Sequence, residues 1–182
     1  KALATAVDAK DHYTHDHSGR VSQLCVNAAR QMGIEDADQL QTIELAGLLH
    51  DVGKIGIPDA ILDKSATLND DEFKRIKEHT IIGANIIGKV HGLEKVAIAI
   101  RHHHEKFNGR GYPDKLQGTD IPYVSRLISA ADIFDAFTSD RPYRKAIPTA
   151  KAVDELKKLK TSQLDPQIVD AFIESLKTPA QQ

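Results

Sequence analysis

The sequence predicts an all-α domain, and three observations predict it. Apolar residues recur at three- and four-residue spacing, while period-two alternation is scarce. Pro58, Pro113, Pro122, Pro142 and Pro148 fall between the apolar stretches, where helix breakers belong. Polar residues able to cap helix starts precede two of the stretches.

Taken in order, Val21, Leu24, Cys25 and Ala28 form a first stripe that ends near Gly33. Leu40, Ile43, Leu45, Ala46, Leu48 and Leu49 form a second, which runs into His50, and Asp36 or Asp38 can cap its start. Asn69 followed by Glu72 fits a capping box and opens a helix through Phe73, Ile76 and His79. Ile81 to Val90 and Leu93 to His102 continue the pattern, separated by Gly92. Val124 to Phe137 is a long apolar-rich helix, and Ala150 to Leu159 and Pro166 to Leu176 complete the set. A glycine-rich loop from about Glu105 to Asp120 interrupts the helices, with glycines that can let the backbone pass close to a ligand. No repeat or low-complexity tract appears, so one domain over residues 1–182 is expected.

Bulk properties exclude several classes of function. With 41% hydrophobic and 27% charged residues over 182 positions, the chain can fill one core. A net charge of −2 gives no support to binding of DNA or RNA polymers or of a membrane surface. No apolar run approaches the ~18 residues of a membrane span, so no insertion of this segment is expected. The single cysteine, Cys25, rules out an internal disulfide and suits a reducing, cytoplasmic setting. The start at Lys1 rather than Met predicts a piece of a longer protein.

Nine histidines are the unusual feature. "LLHDVGKIGIPD" puts His50 and Asp51 at the end of a buried stripe, where an unsatisfied polar pair costs free energy. His17 opens a helix, His79 ends the one begun at Asn69, and His103 and His104 end another. Asp132 lies inside the apolar "ISAADIFDAF". Singly, each has a bland reading. His79 suits a helix dipole, Asp132 can cap a neighbour, and His50-Asp51 can be a hydrogen-bonded core pair. Together they read as imidazole and carboxylate donors converging from several helix ends on a metal. Asp51 can bridge two ions, which at ~3.5–4 Å separation clamp a phosphoryl displacement. Lys54, one turn beyond His50, can neutralise a phosphate or protonate a leaving oxygen. Arg141, Arg144 and Lys145 in "TSDRPYRKA" suit phosphate, or else complement a helix C-terminus. His12, His15, His91 and His102 are assigned to solvent.

The stretches "DHYTHDHSGRV", "LLHDVGKIGIPDAIL", "HHEKFNGRGYP", "IPYVSRLISAADIFDAFTSDRPYRKA" and "LDPQIVDAF" resemble, in order, the HD-GYP branch of the HD phosphohydrolases. The resemblance implies a single HD-type domain of about seven or more helices with a long glycine-rich GYP loop. It implies a phosphodiesterase that opens cyclic di-GMP to linear pGpG, and in some cases GMP, with two divalent ions. Iron or manganese is the family's usual metal, with nickel or zinc compatible with the same donors. Carried over by position, His17, His50, Asp51 and Asp132 would hold one ion, and Asp51, His79, His103 and His104 the other. Lys54 would be the active-site lysine, and Arg141 and Arg144 would contact substrate phosphate, with arginine at 144 where lysine is common. Some members place a glutamate one turn before the first histidine for a third metal, and Tyr13 stands there, so two metals are expected.

The resemblance also implies an output domain behind a receiver or sensory domain, contacts with diguanylate cyclase (GGDEF) domains, and dimerisation through the preceding region. A cyclic GMP-AMP phosphodiesterase is a close variant. A silent module that binds nucleotide or protein is the reading from a different class. Degenerate members lose ligands or the lysine, and this chain retains them, which favours the enzyme.

Overall fold

The computed structural model of the protein describes Thr5, Val7, Lys10 and residues 16–64, 66–140 and 144–177. Helices α1 (His17–Gln31) and α2 (Ala37–Leu49) pack closely, because Gly47 would bring a Cβ to 2.7 Å from the Ser22 Cα. Asp36, not Asp38, caps α2 by accepting from the Gln39 amide at 2.8 Å. A 3-10 turn, Val52–Gly56, and the short α3 (Asp59–Leu62) follow, neither expected from the sequence.

The capping box opens α4 (Asp70–Lys77) as expected, with Asn69 Oδ1 accepting from the Glu72 amide at 2.8 Å and Glu72 Oε2 from the Asn69 amide at 2.9 Å. The helix expected to end at His79 ends at Lys77, and His79 opens the next one, which was expected to start at Ile81. The His79 ring donates from Nδ1 to the Ile76 carbonyl at 2.7 Å, and α5 (His79–Ile87) starts anew. Helices α6 (Glu94–His102), α7 (Tyr123–Thr138), α8 (Thr149–Lys158) and α9 (Pro166–Ser175) lie within two residues of their expected limits. Among the described residues, β structure is limited to isolated bridges such as Lys160 with Leu164.

Helix α7 is the axis of the fold and packs on α1, α2, α6, α8 and α9. Val21, Cys25, Ile43, Ile100, Leu127, Ile128 and Phe172 are among the side chains of one continuous core around it. The α5 helix packs on α6 and on the 3-10 turn. The segment between α6 and α7 contains only the 3-10 turn Gly118–Asp120. It is tied down: Asp114 accepts from Arg101 and His102, and the Phe107 and Asn108 amides donate to the carbonyls of Gln163 and Ser162. Gly111 is tight for a reason other than a ligand, since a Cβ there would overlap the backbone of Glu105 and Lys106.

Candidate metal centre

Three helices end in the same device. The last turn of a helix leaves carbonyls without intrahelical donors. Gly47 in α2, Ile76 in α4 and Ile100 in α6 each offer one to the imidazole three residues on. His50 Nδ1 donates at 2.8 Å, His79 Nδ1 at 2.7 Å and His103 Nδ1 at 2.6 Å. His17, at the start of α1, donates its Nδ1 to Asp135 Oδ2 of α7 at 2.8 Å. With Nδ1 protonated in each ring, Nε2 is left as a bare acceptor.

Those acceptors converge. His17 Nε2 lies 3.5 Å from Asp132 Oδ1 and 3.9 Å from Asp51 Oδ2. His50 Nε2 and His79 Nε2 are each 3.5 Å from an Asp51 oxygen, Oδ2 and Oδ1 respectively. His79 Nε2 and His103 Nε2 face each other at 3.4 Å, and the His104 ring centroid is 4.1 Å from that of His103. The donor atoms fall into three overlapping groups, each within 4.8 Å: His17, His50 and Asp132; His50, Asp51 and His103; and His79, His103 and His104.

Two features fit a cation here. His50 Nε2 is buried and has no hydrogen-bond partner, at a typical cost of about 1–3 kcal/mol. The opposed Nε2 atoms of His79 and His103 are both lone-pair bearers, so no hydrogen bond joins them. Cations at these nitrogens would resolve both, and the mixed nitrogen and oxygen donors suit first-row divalent ions.

The electrostatics point the same way. Burial works against the Asp51 charge, but Lys54 and the histidines outweigh it and hold the carboxyl well below its ordinary range. Lys54 Nζ is 2.8 Å from Asp51 Oδ2. Burial keeps His79 and His103 neutral and pushes His104 down to about 3. His17 moves the other way: burial opposes its proton, but the bond to Asp135 and the charges of Asp132 and Asp51 prevail.

A family model described as "HD domain" matches residues 1–168. The chain belongs to the HD-domain family. Among its relatives, a Vibrio cholerae protein named 3'3'-cGAMP-specific phosphodiesterase 3 is 38% identical over 175 residues, 96% of this chain and 38% of that protein. A cyclic di-GMP phosphodiesterase response regulator of Xanthomonas campestris is 38% identical over 174 residues, 94% of this chain and 46% of that protein. The HD domain therefore spans less than half the length of these curated relatives. Bd1817, an HDG"Y"P protein from Bdellovibrio bacteriovorus, superposes with a TM-score of 0.72 at 26% identity, covering 89% of this chain and 52% of that one. With Gly111-Tyr112-Pro113 in its loop, the chain is an HD-GYP member.

The fold thus brings His17, His50, Asp51, Lys54, His79, His103, His104 and Asp132 together. Arg144 is exposed and stays at the helix end, donating to the Ala136 carbonyl and lying over the Phe137 ring at 5.1 Å. Arg141 and Tyr13 lie outside the described residues, as do His12 and His15. His91 stands in solvent as expected, but His102 is bonded to Asp114 and the Ile98 carbonyl and leaves little of its side chain exposed. Sequence reasoning missed Asp135 and Arg20, whose guanidinium donates to Asp135 from Nε at 2.5 Å and Nη2 at 3.0 Å. It also missed Glu105, which is buried and accepts from the Asp114 amide at 2.7 Å. Among the described residues, no helix is long and apolar enough to cross a membrane.

Proposed function

We propose that this domain is a metal-dependent phosphodiesterase that opens cyclic di-GMP to linear pGpG and, on a second cut, GMP. The observation that carries the reading is the pair of donor groups that meet at Asp51, with His50 Nε2 buried and unpartnered between them. His17, His50, Asp51 and Asp132 hold one ion, and Asp51, His79, His103 and His104 the other. Iron or manganese is the expected metal, with nickel or zinc accepted by the same donors. When bound, two such ions supply Lewis acidity and lower the pKa of water at the scissile phosphate.

The chain's own groups do the rest. The Nδ1 bonds to helix-end carbonyls and to Asp135 hold the imidazoles in one tautomer and orientation. Lys54 Nζ, now on Asp51, is placed to give a proton to the departing ribose oxygen. Arg144 and Arg141 neutralise substrate phosphate. A mixed cyclic GMP-AMP ring is the second reading, favoured by the Vibrio relative named for 3'3'-cGAMP, which matches at the same 38% identity as the cyclic di-GMP relative. The relative named a response regulator supports a role as the output domain of a longer regulator. The cytoplasm is the compartment consistent with that role.

The test is anaerobic loading with ferrous iron or manganese, a metal count per chain, and chromatography of products from both cyclic dinucleotides. About two metals and a linear product are expected. Lys54→Ala retains the metals and loses roughly 10²–10⁴ in turnover. Two metals with both rings left intact would instead make the domain a binding module.

A further inference from the structure

Helix α4 ends two residues before His79, so its last turn lies on the rim of the metal centre. Phe73 and Lys77, four residues apart, share one face of that helix. Phe73 is 49% exposed, unusual for a large apolar ring. The Lys77 ammonium sits 4.3 Å from its centroid and 5.3 Å from the centroid of Tyr112. Tyr112 in turn is 5.0 Å from the His104 ring, tilted by 30°. Burial, then the charges of Asp51 and Asp132, keep its hydroxyl protonated.

Lys64 and Arg75 are spent on carboxylates, Glu72 and Glu78, and Lys74, without an ion pair among the described residues, lies over no aromatic ring there. Among the described residues, Lys77 makes no ion pair. Aromatic faces fix an ammonium in place while leaving its donors open to an anion. Of the other candidate cations among the described residues, Lys54 is on Asp51, and Arg144, given above to the phosphate being cut, is at the end of α7. A cyclic dinucleotide carries two phosphodiesters, and only one can be at the metals. The second needs its own cation on the rim.

We propose that Lys77, held between Phe73 and Tyr112, binds the phosphodiester of a cyclic dinucleotide that is not being cut. The inference rests on the cyclic dinucleotide reading above. A diester with a single phosphate has nothing to offer Lys77, so the residue sets the preference for the ring over simple diesters.

The experiment compares the wild type, Lys77→Gln, Lys77→Arg and Phe73→Leu, each loaded with manganese and its metal counted, on cyclic di-GMP and on bis(p-nitrophenyl) phosphate. Lys77→Gln raises KM for cyclic di-GMP about tenfold with kcat little changed, the loss of one charged hydrogen bond. The ratio of kcat/KM for the ring to that for the simple diester falls by the same factor. Lys77→Arg restores most of it, and Phe73→Leu produces a smaller fall. Added to the metal-loaded Lys54→Ala protein, Lys77→Gln weakens cyclic di-GMP binding by a similar factor in calorimetry. An unmoved ratio, or equal losses on both substrates, overturns the assignment of Lys77 while leaving the phosphodiesterase reading intact. A loaded wild type that cuts the simple diester but neither cyclic dinucleotide sinks that reading and this inference with it.

Discussion

Asp135 sets the orientation of the His17 ring. It is buried in α7, accepts from His17 Nδ1 at 2.8 Å, and is itself held by Arg20 and Ser139. Burial opposes its charge, and the His17 and Arg20 bonds overcome that, so it remains a carboxylate at any working pH. The field that raises the proton affinity of His17 also attracts a metal at Nε2. Asp135→Asn keeps an acceptor for Nδ1 but removes the charge. Metal affinity of the His17, His50 and Asp132 group is expected to fall by roughly 10–100-fold, while the His79, His103 and His104 group retains its ion. A metal titration with the bound ion counted per chain checks this, and equal weakening of both groups would contradict it. Asp135 was not legible in "ISAADIFDAF" because Asp132 lies three residues away on the same helix face, and spacing cannot say which of the two touches the ring and which supports it. The convergence of His17, His50, Asp51, His79, His103, His104 and Asp132 was legible for the opposite reason: polar residues recurring at helix ends on apolar stripes have few cheap explanations.

Helix ends, more than helix bodies, build the centre. The ends that a breaker or cap marks were read correctly at Asn69 and Pro166, and at α2 the structure chose Asp36 from the two aspartates the sequence offered. The break between α4 and α5 was expected after His79 and falls before it; no proline or glycine marks the place, and the His79 ring there takes the Ile76 carbonyl, a tertiary contact that periodicity does not register. The 3-10 turn after Asp51 escaped the sequence in the same way, since its geometry is set by what packs on it. A Cβ on Gly53 would overlap the His79 carbonyl and come within 2.6 Å of the Gly83 amide nitrogen. The turn therefore lies backbone to backbone on α5, which holds Asp51 Oδ1 3.5 Å from His79 Nε2. Gly53→Ala drives the two apart. Overpacking of this kind costs about 1–3 kcal/mol, or roughly 2–12 °C in melting temperature for a domain of this size. Metal content should fall with it. Gly92→Ala is the contrast: its φ of 87° strains alanine by about 1–2 kcal/mol, but nothing lies within 4 Å and the centre is untouched. Calorimetry and metal counts on both variants separate local strain from loss of the site, and a Gly53→Ala protein with full metal content would refute the role given to the turn.

At the scale of the molecule, the core is folded around a polar knot that is poorly satisfied by protein groups alone. Helices α1, α2, α5, α6 and α7 all meet there, so a cation bound to the folded chain acts on the whole packing arrangement. Binding at a thousandfold excess over Kd adds about 4 kcal/mol, which is roughly 8–16 °C in melting temperature. Chelation should remove that increment. The chelated chain should then be sensitive to acid in a defined window. Burial lowers the pKa of His79, His103 and His104 in the folded state, the last to about 3, while unfolded histidines titrate near about 6.5. Between those values the unfolded chain binds more protons, so stability present above pH 6.5 is lost as the pH falls. His17, raised in the fold, contributes with the opposite sign, and one such group does not offset three. The depressed carboxyls of Asp51 and Asp135 add their own loss only further down, as the pH enters the carboxylate range. Thermal melts of the chelated protein at pH 7.5, 6.5 and 5.5 should therefore show a steady fall below pH 6.5. A melting temperature that stays level or rises there would mean that the three buried imidazoles are not held neutral and that their Nε2 atoms are not open to a cation.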